Sequence, residues 1–309
     1  MEILLQIILM AVGFALLIKG ADLFVDGASG IAARLGIPQL VIGLTIVAMG
    51  TSAPEAAVSI SAALKGNAEI TIGNIVGSNI LNIFIILGIT SVIISVKVAA
   101  STVKYELPFM IAITAVLLLF GYTGGNITFF EGILLWFLFI LYLAYLFVMA
   151  KRNKEEIDDK KEEKPLWKLI LFILLGLFMI VFGSDISVDG ASAIASAVGI
   201  SERFIGLTIV ALGTSLPELV TSIAAARKGK ADIAIGNIVG SNIFNILFVV
   251  GTTSLITPVV FADNFIIDTA IAIFAGILLL VGVLRKKELN RATGILMLVC
   301  YGAYFIYLI

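Results

Sequence analysis

From Ile3 to Leu308 the chain runs as ten apolar stretches separated by short polar joints, each close to the ~20 helical residues that cross a bilayer core. A water-surrounded fold cannot use so much apolar chain: 61% of the 309 residues are hydrophobic and 13% charged. The expectation is therefore an all-α membrane protein, with the lipid bilayer as its surroundings. The expected helices occupy 3–31, 38–64, 70–95, 105–121, 128–150, 166–195, 202–226, 233–257, 265–284 and 291–308. An outer-membrane barrel would instead show short alternating segments. The first run has no basic leader or cleavage site and reads as a retained helix.

Two of these stretches carry a proline and a carboxylate in mid-span, where both are costly: Gly50-Thr51-Ser52-Ala53-Pro54-Glu55 and Gly213-Thr214-Ser215-Leu216-Pro217-Glu218. Pro54 has no N–H for the Gly50 carbonyl and Pro217 none for that of Gly213, so each helix should break beside hydroxyls and a glutamate. A single copy could be a proline kink with a hydrogen-bonded glutamate; a second copy argues for a site.

The copies belong to a longer repeat. Glu55 and Glu218, Asp22 and Asp185, and Gly73 and Gly236 are each 163 positions apart, so the register holds across three helices. The expected organisation is a first five-helix repeat over 1–150, a polar linker over 151–165 and a second five-helix repeat over 166–309. Five is odd, so the second repeat enters the membrane from the opposite face and the repeats are inverted, as in secondary transporters with a midplane site. Lys and Arg agree. Arg34, Lys97, Lys104, the central joint, Arg227, Lys228, Lys230, Arg285, Lys286, Lys287 and Arg291 fall on one face, Lys65 and Arg203 on the other. The positive-inside rule then makes the central joint cytoplasmic and places both termini outside the cell membrane. The nearly charge-balanced joint reads as a solvated linker; a calcium-sensing loop would be denser in acid and punctuated by glycine.

With no histidine and one cysteine, Cys300, the chain has no Cys/His metal centre and no internal disulfide. Oxygen must do any ion chemistry. Each Pro-Glu helix is followed by Gly-Asn-Ile-Val-Gly-Ser-Asn-Ile, then Asn82 or Asn245. Ser78 and Asn82, like Ser241 and Asn245, are four apart and share a helical face, while the glycines admit close packing. Packing alone does not ask for Ser and Asn on that face. The two carboxylates, the hydroxyls and the amides form a flexible oxygen set suited to calcium and sodium and less to magnesium. An empty site with a charge of about −2 is costly to carry through low dielectric, which favours obligate exchange.

The paired Gly-Thr-Ser-x-Pro-Glu and Gly-Asn-Ile-Val-Gly-Ser-Asn elements, their inverted placement and the ten-helix plan resemble the calcium/cation antiporter superfamily, in particular its prokaryotic sodium/calcium exchangers. The resemblance implies ten transmembrane helices with helices 2, 3, 7 and 8 broken, and about three sodium ions exchanged per calcium. It also implies that helices 1 and 6 slide across a core of helices 2, 3, 7 and 8. The site it implies is lined by Ala48, Thr51, Ser52, Glu55, Ser78 and Asn82 with Ala211, Thr214, Ser215, Glu218, Ser241 and Asn245, the glutamates shared between calcium and sodium. Potassium-dependent members carry aspartate at the place of Asn245, so potassium independence is expected. The transported ions stand where a cofactor would; no cofactor, nucleic-acid partner or enzymatic activity is expected, and the protein should work as a monomer. Asp22, Asp26, Asp185 and Asp189 lie near helix ends and are left out of the site, with Lys19 as a local partner for Asp22. Calcium/proton exchange on the same fold is the nearest alternative, because a glutamate can carry a proton. A passive cation channel and an intramembrane enzyme are more remote.

Overall fold

A computed structural model describes residues 2–152, 164–199 and 211–308. The first half comprises α1 (Glu2–Leu35), α2 (Gln39–Thr51), α3 (Ala53–Leu64), α4 (Ile70–Ile93), α5 (Thr102–Gly124) and α6 (Phe129–Arg152). The second comprises α7 (Leu166–Ala197), α8 (Ala211–Thr214), α9 (Leu216–Arg227), α10 (Ala231–Ile256), α11 (Asn264–Leu284) and α12 (Arg291–Leu308). Between them lie β1 (Val96–Lys97), β2 (Asn126–Ile127), β3 (Val259–Val260) and β4 (Glu288–Leu289). With α2 and α3 as one bent span, nine spans lie among the described residues, and α8 with α9 is the described part of the expected seventh helix. Most of the expected linker (153–163) and the first part of the expected seventh helix (200–210, with Arg203) lie outside the described residues.

The two small ladders give the inversion a geometric form. β1 pairs with β4, Val96 opposite Leu289, and β2 pairs with β3, Ile127 opposite Val259. Each joins two joints that an even number of expected spans, six and four, puts on the same face. Arg34, at the end of α1, donates to the Lys164 carbonyl at 3.1 Å, so the central joint lies on the β1–β4 face.

α1 and α7 run antiparallel along each other with glycine meeting glycine. Gly13, Gly20 and Gly27 recur every seven residues in α1, as do Gly176, Gly183 and Gly190 in α7. A Cβ on Gly13 would lie 2.7 Å from the Gly183 carbonyl oxygen, and one on Gly20 2.8 Å from that of Gly176, so the backbones are in contact. The outer faces of the pair are apolar and exposed, as lipid requires: Leu4, Ile18, Leu174 and Phe178 are examples.

At the centre stand α4 and α10. Every residue of α10 from Ile233 to Phe244 is buried, and its glycines let it lie on α2: a Cβ on Gly240 would be 2.8 Å from Leu44 backbone atoms. Trp136 and Phe139 of α6 close the lateral face against Phe244 and Phe248, ring centroids 5.1–6.1 Å apart.

The expected break in helix 2 is present: α2 and α3 meet at Ser52 with a bend of 50°. Ser215, with φ −92° and ψ 2°, separates α8 from α9 in the same way. Helices 3 and 8 differ from the expectation. They run through without a gap and instead widen into π-helical turns over Asn82–Leu87 and Asn245–Val250. No proline falls there to remove a donor, so the helix continues through the widened turn.

Candidate ion site

Pro54 and Pro217 each sit in the first turn of α3 and α9, where the missing N–H costs least, and Glu55 and Glu218 follow in that same turn. Both glutamates are completely buried. Ser52 Oγ, at the bend of one half, donates to Glu218 Oε1 of the other at 2.8 Å. Ser78 and Ser215 bring their hydroxyl oxygens to 3.5 Å, again across the halves. Ser241 Oγ donates to the Ala48 carbonyl at 3.3 Å, and Thr51 Oγ1 to Asn237 Oδ1 at 2.9 Å. The sequence elements most distant from one another thus converge between α2–α3, α8–α9, α4 and α10.

Five oxygens in this cluster are buried without a hydrogen-bond partner: Glu55 Oε1 and Oε2, Glu218 Oε2, Asn82 Oδ1 and Asn245 Oδ1. Burying such groups unpaired is costly, more so for carboxylates. All five are acceptors, none a donor, so they call for a cation, a proton or a donating water, and the two carboxylates among them favour a cation. The donor set is oxygen throughout, with two carboxylates and neutral carbonyls beside hydroxyls, which suits calcium and sodium as cargo. Among the described residues no cluster of three or more acidic, cysteine or histidine side chains forms, so the site is not of the densely acidic kind.

Of the residues expected from sequence, Thr51, Ser52, Glu55, Ser78, Asn82, Ser215, Glu218, Ser241 and Asn245 are buried and converge, with Ala48 contributing its carbonyl. Thr214 closes α8 at the break, and Ala211 opens α8 beside the undescribed stretch. Sequence reading passed over four asparagines of the same motif. Asn74 Nδ2 donates to the Glu55 carbonyl at 3.2 Å and to Ser59 Oγ at 2.9 Å, and Asn237 Nδ2 repeats this with the Glu218 carbonyl and Ser222 Oγ. Asn79 and Asn242 link α4 to α10. Their signal was available: a duplicated asparagine inside an apolar span must find a partner. The expected Lys19–Asp22 pair is replaced by a distant one. Lys228 Nζ lies 3.3 Å from Asp22 Oδ1 and 2.7 Å from Asp26 Oδ1, and donates to the Asp22 carbonyl at 2.8 Å.

Two inverted five-helix repeats that jointly enclose a buried, cation-seeking cluster define a membrane transporter of the ion-exchanging kind. The model of the sodium/calcium exchanger protein family matches residues 5–148 and 168–309, and the chain belongs to that family. It is similar to the sodium/calcium exchanger MaX1 of Methanosarcina acetivorans (31% identity, 99% of each chain covered) and to the inner membrane protein YrbG of Escherichia coli K12 (39% identity, 82% of this chain and 81% of that one). Among solved structures it resembles the sodium-calcium exchanger NCX_Mj, with a TM-score of 0.86 at 31% identity over 99% of this chain and 100% of that one.

Proposed function

We propose that this family member exchanges sodium for calcium by alternating access, independently of potassium, with Glu55 and Glu218 as the charged ligands of both ions. The observation that carries this reading is the set of five buried acceptor oxygens left unpaired between the two halves. Thr51, Ser52, Ser78, Ser215, Ser241, Asn82 and Asn245 and the Ala48 carbonyl complete the oxygen shell, with Thr214 and Ala211 as their second-half counterparts. Two carboxylates balance one calcium ion. With Asn82 and Asn245 both neutral, a co-bound potassium ion would be an uncompensated charge in low dielectric. The two repeats, 1–150 and 166–309, act as the two halves of one monomeric transporter, and the empty site resists crossing because its charge is then unbalanced.

Purified protein in vesicles loaded with sodium should take up labelled calcium when sodium is diluted outside, and should not when a proton gradient alone is applied. Replacing potassium by choline, with the membrane potential clamped, should leave the flux unchanged. Uptake driven by protons would transfer the protein to calcium/proton exchange, and loss of flux without potassium would sink the charge argument.

The face bearing β1, β4 and the central joint is assigned to the cytoplasm by its excess of Lys and Arg, with both termini outside. Lys97→Cys, in a Cys300→Ser background, should react with impermeant maleimide only from the cytoplasmic side, and Tyr122→Cys only from outside. The reverse pattern would invert the topology.

A further inference from the structure

Where α4 crosses α10, four asparagines form a closed exchange of hydrogen bonds. Asn79 Nδ2 donates to the backbone carbonyl of Asn242 at 3.3 Å, and Asn242 Nδ2 donates to that of Asn79 at 3.2 Å. A backbone carbonyl can only accept, so these two contacts fix which end of each amide is nitrogen. Their oxygens must then receive the next pair. Asn242 Oδ1 accepts from Asn82 Nδ2 at 2.9 Å, and Asn79 Oδ1 accepts from Asn245 Nδ2 at 3.1 Å. Asn82 and Asn245 have thereby committed their nitrogens, and their own Oδ1 atoms are the two that stay buried and unpartnered among the site oxygens.

The polarity matters because the two ends of an asparagine amide are nearly the same shape and opposite in charge. An amide turned round would aim N–H at a cation, replacing attraction by repulsion. All four side chains are at most 3% exposed, so bulk water does not reach them and a lost partner is costly. The bonds also cross over: Asn242 of the second half orients Asn82 of the first, and Asn79 of the first orients Asn245 of the second.

We propose that Asn79 and Asn242 are positioning residues that hold Asn82 and Asn245 with their carbonyl oxygens toward the transported cation, each half of the chain setting the ligand polarity of the other. This rests on the ion-exchange reading above and adds to it a reason why a neutral amide can serve as a dependable cation ligand.

The test is Asn242→Leu, similar in size but without an amide, alone and combined with Asn82→Asp, in vesicles with sodium-driven calcium uptake. Freed of its acceptor, Asn82 should turn, and the calcium concentration for half-maximal flux should rise about tenfold, the scale of one hydrogen bond to a charged group. In the Asn82→Asp background both side-chain ends are oxygen and there is no end to choose. There Asn242→Leu should cause no further rise, and should relieve the contact between the new carboxylate and Asn242 Oδ1. A purely structural role for Asn242 predicts losses that multiply in the double variant, or a fall in maximal flux at unchanged half-saturation; either overturns the proposal. If Asn242→Leu elutes aggregated, Asn79→Leu with and without Asn245→Asp puts the same question to the mirror pair. Wild-type protein that fails to exchange sodium for calcium refutes the function, whereas a normal wild type with an unshifted Asn242→Leu refutes only the positioning role.

Discussion

The two ends of the α1–α7 pair carry the same residues and do different things with them. Lys228, Asp22 and Asp26 at one end correspond, at 163 positions, to Lys65, Asp185 and Asp189 at the other. On the β1–β4 face Lys228 ties the end of α9 to α1 through both aspartates. On the opposite face Lys65 makes no ion pair among the described residues, and Asp185 and Asp189 line a cavity of about 310 Å³ that reaches Thr214, Pro54 and Pro217 beside the ion site. Val188 faces that cavity, while its counterpart Val25 is fully buried. One repeat sequence therefore supports both a closed and an open arrangement. The closing ion pairs are partly exposed, 28% for Lys228 against 42% and 47% for the aspartates, so each is worth about 0–1 kcal/mol, enough to bias two arrangements and too little to lock one. Under the alternating access proposed above, the closed end and the open end would trade places, with the shared glycine contact of α1 and α7 between them.

The largest effect should come from the centre, which belongs to both ends. Glu55→Gln or Glu218→Gln should lower calcium flux about a hundredfold or more whichever side calcium is presented on, the cost of removing one charged partner from a desolvated ion contact. Isotope flux measured in both directions checks this, and a loss confined to one direction would tie that glutamate to one end only.

A smaller effect tests the ends themselves. In a Cys300→Ser background, Val188→Cys should react readily with impermeant maleimide and Val25→Cys should not. Adding Lys228→Met should raise the Val25→Cys rate about fivefold, matching roughly 1 kcal/mol of lost closure. Lys65→Met should change either rate less, because Lys65 makes no ion pair among the described residues, and in the sense of weakening closure of the Val188 end. A Val25→Cys rate indifferent to Lys228 would mean that apolar packing alone, and not the ion pairs, keeps that end shut.

Much of the site was legible because its residues are expensive where they stand. Glu55, Glu218 and the two prolines announce themselves in apolar spans, and the 163-residue register doubles the signal. Asn79 and Asn242 were not picked out, since adjacency in the motif says nothing about which helix an amide turns toward; only the crossing of α4 and α10 gives each a backbone carbonyl to bind. The widened turns at Asn82 and Asn245 escaped notice for a related reason. A break has a sequence cause in proline, whereas no residue in Asn82–Leu87 or Asn245–Val250 removes a backbone donor and so marks the π-helical turn.

Hydropathy, the odd number of spans in each repeat and the paired motifs determined by themselves that the chain crosses the membrane ten times, that its halves are inverted, and that two carboxylates meet in its middle. These follow from local chemistry, the cost of polar groups in lipid and the count of crossings, and need no knowledge of what touches what. The choice of Lys228 over Lys19 as partner to Asp22, the polarity of the Asn82 and Asn245 amides, and which end of α1 and α7 is closed were decided only by tertiary structure. Each depends on groups 160 to 206 residues apart meeting within about 3 Å, and two copies of one sequence can settle such contacts differently.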